Sequence, residues 1–152
     1  MKKIQEGKKE VYKMKGLTIN EIKIGDVSTF TKTVTDADIT LFAGYSGDFN
    51  PAHINAVEAE KSMFGRRIAH GMLSAGFIST VLGTQLPGPG TIYMGQELRF
   101  TKPVYINDTV TAVCTVVERN EEKNRLKLET VVKNQNGDTV ITGFATVMPP
   151  KA

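Results

Sequence analysis

The chain has 152 residues, a length that suits one domain large enough to bury a hydrophobic core without disulfides or metals. Its hydrophobic share of 40% and charged share of 23% are ordinary for a soluble globular protein, and no apolar run is long enough to cross a bilayer. The first 15 residues lack the apolar segment of a signal peptide. We therefore predict a cytoplasmic protein without membrane association.

The net charge of +3 is concentrated at the N-terminus. Residues 1–15 contain six lysines and two glutamates, a local charge of +4, so the remaining residues sum to −1. This segment lacks the interleaved aromatic residues and the motifs of nucleic-acid-binding proteins, so we predict no nucleic-acid partner. The sequence thus predicts a basic, flexible tail over residues 1–15 and a single domain over residues 16–152.

The first predicted elements are a strand and two helices. A turn at Gly25-Asp26 precedes a run of β-branched residues that is typical of a strand. Thr35 has the position of a helix N-cap, and the helix "DADITLFAGYS" should end near Gly47. A shorter helix is predicted in "AVEAEKSMFG", closed by Gly65.

The segment from Gly71 to Leu86 has no charged residue, which predicts a helix that is buried on most of its sides. The residues Pro87–Gly90 should end it sharply. Four strand-like runs follow, the last two joined by a hairpin turn at Asn136-Gly137, two residues that are expected to have positive φ angles. Cys114 lies in one of these runs and is expected to be a buried apolar residue rather than a nucleophile. The pattern predicts an α+β fold in which a curved antiparallel sheet wraps one buried helix.

The stretch "SGDFNPAHIN" carries the first candidate chemistry, with Asp48 and His53 five residues apart. Pro51 pushes the preceding residue out of the α region, so the two side chains are predicted to lie on a turn. Small and polar neighbours would satisfy the backbone of that turn: Ser46, Gly47 and Asn50. Two interpretations stay open here, a capped turn with an incidental histidine or a general acid–base pair.

A second feature is the start of the apolar helix at Gly71, which has no Ser, Thr, Asp or Asn in the capping position. The first N–H groups of a helix lack partners within it, so His70, water or a ligand oxygen must bond them. A thioester carbonyl that gains negative charge would suit such an N–H and the helix dipole.

Two histidines with Asp48 form no ligand pattern typical of metal sites, so we predict no metal.

The segments "YSGDFNPAHINAVEA", "FGRRIAHGMLSAG" and "LPGPGTIYMGQELRFTKPVYINDTVTA" together resemble the MaoC-like, (R)-specific enoyl-CoA hydratases, which include short bacterial enzymes that feed polyhydroxyalkanoate synthesis. The resemblance is strongest from Val27 to Val117, and its motif is S-G-D-x-N-P-x-H with Ala59 six residues after the histidine. Tyr45 departs from the small aliphatic residue usual in the family. The resemblance implies a hot-dog fold, a sheet wrapped around a long central helix. It also implies a homodimer, or an oligomer built from dimers, with the active site at the subunit interface.

The resemblance further implies residue roles and a reaction. Asp48 and His53 would be catalytic, Gly71 would supply the oxyanion N–H, and four residues would shape the loop: Ser46, Gly47, Asn50 and Pro51. The reaction would be reversible syn hydration of a trans-2-enoyl-CoA, with no cofactor because CoA is part of the acyl-CoA substrate. Basic side chains near the helix start and beyond are candidates for contacts with the CoA phosphates: Arg66, Arg67 and Lys102.

Three alternatives remain open at this point. The same chemistry could act on an acyl-carrier protein, as a 3-hydroxyacyl dehydratase. A thioesterase or a non-catalytic acyl-thioester binding module could use the same fold.

Overall fold

The computed structural model describes residues 15–152, and the basic tail predicted for residues 1–15 lies outside the described residues except for Lys15. A short 3₁₀ turn, Ile19–Glu21, precedes the first strand. The helices and strands follow in the order β1 (Val27–Thr33), α1 (Asp36–Ser46), α2 (Pro51–Ile54), α3 (Ala56–Lys61), α4 (Gly71–Thr84), β2 (Ile92–Phe100), β3 (Thr109–Asn120), β4 (Arg125–Lys133) and β5 (Thr139–Met148).

The five strands form one antiparallel sheet in the order β1-β3-β4-β5-β2, so β1 and β2 are its edges. Alternate residues of β3 are buried, and helix α4 packs its buried residues against the same core. Cys114 is one of the buried β3 residues, and burial raises the pKa of its thiol to about 12, as expected for a core residue. A sheet curved around one long helix is the hot-dog fold that the resemblance implied.

Helix α1 delivers the chain to the candidate site, and its two ends are those predicted. The Thr35 hydroxyl accepts the Asp38 N–H at 3.2 Å, while the Asp38 carboxylate accepts the Thr35 N–H at 2.9 Å, which satisfies two donors reciprocally. At the other end Gly47 has φ 77°, a left-handed conformation that glycine adopts without a steric penalty. The chain therefore turns sharply just before Asp48.

Helix α2 was not predicted, and the predicted end of the next helix was wrong. Pro51 begins the four-residue helix α2, because proline is tolerated at a first helical position where its missing N–H has no partner anyway. The preceding Asn50 is extended, as predicted, and its side chain caps α2 by accepting the Ala52 N–H. Helix α3 ends at Lys61 rather than at Gly65, because the next residue, Ser62, is extended.

The prediction that the apolar helix is buried on most sides is wrong for the single chain. Helix α4 ends at Thr84 instead of Leu86, and only the face toward the sheet is buried. The opposite face is exposed and mostly small, with Met72 as its one large apolar residue at 55% exposure. One sheet covers one side of a helix, so an uncharged sequence alone does not show what covers the other side.

The hairpin between β4 and β5 forms where predicted, with Gly137 in the left-handed region at φ 81°. Asn136 is not in that region, contrary to the prediction that both residues have positive φ angles. Within residues 15–152, no helix is long and apolar enough to cross a membrane.

Replacing Thr35 by alanine should lower the free energy of unfolding by about 1 kcal/mol, because an N–H of the first turn of α1 loses its acceptor. Urea unfolding followed by circular dichroism measures this change. Thr40→Ala is the matched control: Thr40 is an exposed residue within α1, where alanine is the better helix former, so no destabilisation is expected. Equal effects of the two substitutions would contradict the capping role.

Candidate active site

The residues predicted to shape the loop form a series of local hydrogen bonds around Asp48. The Ser46 hydroxyl donates to the Phe42 carbonyl at 2.7 Å and accepts the Asp48 N–H at 3.2 Å. The Asp48 carboxylate then accepts the Asn50 N–H at 3.1 Å. These bonds fix the backbone between α1 and α2 and leave the carboxylate at the protein surface.

His53 is held so that one ring nitrogen remains for chemistry. Its Nδ1 lies 2.8 Å from the Ile68 carbonyl, and a carbonyl only accepts, so Nδ1 carries the hydrogen and the neutral ring has its lone pair on Nε2. The backbone of His53 is also bonded, its N–H to the Asn50 carbonyl at 2.9 Å and its carbonyl to Arg67 Nε at 2.6 Å. Among its polar atoms, Nε2 is the one without a partner in residues 15–152.

The structure brings Asp48 and His53 together with a third group, His70. One carboxylate oxygen of Asp48 and one ring nitrogen of each histidine lie within 4.8 Å of one another. From the sequence, His70 was considered as a possible helix cap and as a member of an unpatterned metal-ligand set, and its side chain does not cap the helix. The one signal in the sequence for another role was the position of His70, directly before a helix start that lacks a capping side chain.

The start of α4 forms the second half of the site. Between residues 15 and 152, nothing accepts a hydrogen bond from the backbone N–H groups of Gly71 and Met72, so the helix start lacks a side-chain cap, as predicted. A Cβ atom at position 71 would lie 2.6 Å from the Phe100 ring. Glycine therefore allows Phe100 to pack against the helix start, next to N–H groups at the positive end of the helix dipole.

A cavity of about 480 Å³ has His53, His70 and Gly71 in its wall, whereas Asp48 is not among its lining residues. The rest of its lining is mostly apolar and comes from the α3–α4 connection, the end of β2, the β2–β3 connection and the start of β5: Met63, Phe64, Ile68, Phe100, Val104, Val140 and Ile141. Lys102 lies at the exposed rim. An apolar cavity with a few polar groups at one place is typical of a site for a small molecule with an apolar part.

The three basic residues predicted to contact CoA phosphates are placed differently. Arg67 is largely buried, at 19% side-chain exposure, and bonds both the His53 carbonyl and the Asp36 carboxylate, the latter at 2.7 Å. Lys102 pairs with Asp138 at 2.8 Å, and the exposed Arg66 lies over the Tyr105 ring, 4.0 Å from its centroid. Phosphate contacts stay a prediction for all three, but Arg67 already has a defined structural partner on each side.

The arrangement suits proton transfer better than metal binding. The rings of His53 and His70 stack at 3.9 Å with an interplanar angle of 29°, so their lone pairs lie in two separate planes inclined by only 29°. A metal ion needs ligand atoms that point to one centre. The prediction that the site binds no metal therefore stands as a prediction with a geometric reason.

The fold and the site define a hot-dog protein with an aspartate–histidine pair near the start of its long helix. The chain belongs to the MaoC-like domain family, whose sequence model matches residues 20–138.

Similar proteins of known name agree with this assignment. A protein of Rhodospirillum rubrum named (R)-specific enoyl-CoA hydratase is 53% identical over 130 residues, covering 86% of this chain and 90% of that protein. A protein of the same name from Aeromonas caviae is 39% identical, covering 88% and 100%. The unliganded structure of an (R)-hydratase from Pseudomonas aeruginosa superposes with a TM-score of 0.86 at 43% identity, covering 90% of this chain and 88% of that one.

Replacing Arg67 by lysine should lower the free energy of unfolding by about 1–3 kcal/mol, because the part-buried His53 carbonyl loses its donor and lysine cannot reproduce the forked contact. Denaturant unfolding measures the difference. Arg66→Lys is the matched control, since Arg66 is exposed and a lysine there keeps its charge over Tyr105. If the two variants were equally stable, the bridging role of Arg67 would be wrong.

Proposed function

We propose that this protein is an (R)-specific enoyl-CoA hydratase, which adds water reversibly to a trans-2-enoyl-CoA and forms the (R)-3-hydroxyacyl-CoA. The observation that carries the proposal is the meeting of Asp48 and His53 within 4.8 Å, beside an apolar cavity that also reaches the free N–H groups of the α4 start. The two relatives named (R)-specific enoyl-CoA hydratase, which match this chain over most of its length, support the proposal.

Water is held between Asp48 and His53 in this proposal. An ionised carboxylate only accepts hydrogen bonds, and the neutral His53 ring accepts at Nε2, so both groups orient the same water molecule. Asp48 takes a proton from the water as its oxygen forms a bond to the β-carbon of the enoyl thioester. Asp48 suits the role of base because its carboxylate is exposed and its turn is fixed by backbone bonds.

The start of α4 receives the negative charge that this attack produces. As the C–O bond forms, the electrons of the double bond move to the α-carbon and onto the thioester oxygen, giving an enolate. The Gly71 N–H points from the positive end of the helix, and donors already in place for a developing oxyanion stabilise the transition state. In the substrate, the same N–H polarises the carbonyl and makes the β-carbon electrophilic.

Protonation of the α-carbon completes the addition. Asp48 passes the proton that it took from water to His53 Nε2, and the protonated ring delivers this proton to the α-carbon, while its Nδ1–H remains bonded to the Ile68 carbonyl. Asp48 is then ionised and His53 neutral again, as at the start. Hydroxyl and proton arrive from the same loop and therefore on the same face of the double bond, which is the syn addition that the resemblance implied.

The proposed substrate is an acyl-CoA thioester, and the reaction needs no cofactor because CoA is part of the substrate. The mostly apolar cavity lining suits the acyl chain.

Rates with CoA-linked and carrier-protein-linked enoyl substrates would separate a CoA enzyme from a carrier-protein dehydratase. A thiol reagent would detect the free CoA that a thioesterase releases and a hydratase does not. A cytoplasmic location remains a prediction.

The central test replaces each of the two catalytic groups. Asp48→Asn and His53→Ala should each lower the hydration rate by about 10²–10⁴-fold, because each removes one partner of the acid–base pair. The rate is followed as loss of the absorbance of the conjugated enoyl thioester. Glu58→Gln removes a negative charge from the neighbouring helix α3 and should leave the rate unchanged, since Glu58 is exposed and paired with Lys61. Near-wild-type rates in folded Asp48 and His53 variants would overturn the proposed function.

We also infer that the enzyme is a homodimer assembled through strand β2 and the exposed face of α4. β2 is an edge strand of the described sheet, and its exposed residues include four large apolar ones beside Gly95, Glu97 and Arg99: Ile92, Tyr93, Met94 and Phe100. A second cavity of about 690 Å³ runs between β2 and the α1–α4 pair, and its lining is mostly apolar with two polar residues, Ser79 and Gln96. Exposed apolar edges of this kind are pairing sites.

The other edge strand offers no comparable surface. The exposed side chains of β1 alternate and are mainly threonines, and two of them bond threonines of β3 at 2.8 Å. A two-fold axis beside β2 would extend the sheet across both chains and cover the small residues of α4 with the partner. This arrangement explains why an uncharged helix has one face open in the single chain.

Replacing Met94 by lysine should therefore produce monomers, because two-fold symmetry places both new charges in the interface. Met94 is 48% exposed in the single chain, so the substitution leaves the core of the monomer intact. Val27→Lys is the matched control on edge strand β1, at 54% exposure, and should leave the dimer unchanged. Light scattering coupled to size-exclusion chromatography measures the mass. Dimers in both variants would refute the β2 interface.

A further inference from the structure

His70 is a buried polar residue that the proposed reaction does not use. Its exposure is only 2%, and its Nε2 lies 2.9 Å from the backbone carbonyl of Asp48. Because a carbonyl only accepts, Nε2 carries the hydrogen, and the lone pair of the neutral ring is on Nδ1. Within the described part of the chain, that Nδ1 is buried and has no partner. His70 and His53 are therefore opposite tautomers of the same side chain.

The surroundings of His70 favour the tautomer with its hydrogen on Nε2. A hydrogen on the buried Nδ1 would have no acceptor within residues 15–152, whereas a hydrogen on Nε2 bonds the Asp48 carbonyl. The ring also stacks on His53 at 3.9 Å and packs against Phe42 at 4.6 Å. Two adjacent imidazoles cannot both be charged without strong repulsion. The other titratable side chain of the cluster, the Asp48 carboxylate, is exposed to solvent, whereas the Asp48 atom that His70 contacts is an uncharged carbonyl.

His70 also connects the two halves of the site. It precedes Gly71 in the chain, so its backbone continues directly into the α4 start, while its side chain holds the Asp48 carbonyl and one face of the His53 ring. Loss of the ring would free the backbone at Asp48 and remove the surface on which His53 rests. A displacement of about 1 Å in such a site costs on the order of 10²-fold in rate.

We propose that His70 is a positioning residue, held as the neutral Nε2–H tautomer, that fixes Asp48 and His53 relative to the oxyanion N–H of Gly71. Its neutrality leaves His53 as the single histidine that takes and gives the proton. The kinetic part of this inference rests on the proposed function, whereas the tautomers and the contacts do not.

Two substitutions separate the hydrogen bond from simple bulk. His70→Leu fills the space without a donor and should lower kcat about 10²-fold, with a smaller change in KM, because the chemistry and not the binding cavity is disturbed. His70→Gln retains a side-chain N–H for the Asp48 carbonyl and should recover most of the lost kcat. Cys114→Ala is the control for a destabilised core far from the site, and it should keep the wild-type kcat while folded. Equal losses in the Leu and Gln variants would overturn the positioning role.

Nitrogen-15 NMR of the imidazole rings gives a readout independent of activity, and the chain has only two histidines to resolve. We expect one Nδ1–H ring, assigned to His53, and one Nε2–H ring, assigned to His70. His70→Gln should remove the Nε2–H ring signal, and His70→Leu should shift the signals of the His53 ring. A His70 whose hydrogen is on Nδ1, or unchanged His53 signals in His70→Leu, would each overturn the proposal. Absence of hydration by the wild-type chain would instead refute the proposed function and leave these NMR outcomes to decide the role of His70.

Discussion

The four residues that precede helix α4, Arg67–His70, connect the two halves of the site by hydrogen bonds. Arg67 donates to the His53 carbonyl, and the Ile68 carbonyl accepts from the His53 ring. The His70 ring donates to the Asp48 carbonyl. On the opposite side, Ala69 donates its N–H to the Val104 carbonyl at 2.7 Å. This short segment therefore lies between the turn that carries Asp48 and the connection from β2 to β3. Its hydrogen bonds fix the positions of the other residues of the site.

Most of these bonds use backbone atoms, which has a chemical consequence. Backbone carbonyls accept but do not titrate, so they fix ring orientation and tautomer without adding a charge near the reacting atoms. In this way the Ile68 carbonyl leaves the lone pair of the neutral His53 ring on Nε2, and the Asp48 carbonyl leaves that of His70 on Nδ1. Two identical side chains in contact thus acquire different properties from the carbonyl that each one meets. The same bonds pre-organise the site before substrate arrives.

Local patterns gave the correct fold class and the two features that define the site. The Thr35 cap, the turn before Asp48 and the uncapped start at Gly71 each depend on a few neighbouring residues, which is why the sequence predicts them. The contacts of Arg67 and His70 depend on residues 14 and 22 positions away, and no local pattern encodes them. The sequence therefore presented Arg67 only as a candidate contact for the CoA phosphates, whereas its guanidinium bonds two partners within the protein.

The prediction that helix α4 is buried on most of its sides failed for a similar reason. A sequence without charge shows that a helix avoids water but does not show whether its own chain or a second one provides the cover. In the proposed dimer, part of the hydrophobic core is completed only when two copies meet. The apparent stability of the protein would then follow mass action and rise with its own concentration. The exposed small face of α4, seen first as a gap in a single chain, would thus make folding of the monomer and assembly of the dimer one thermodynamic process.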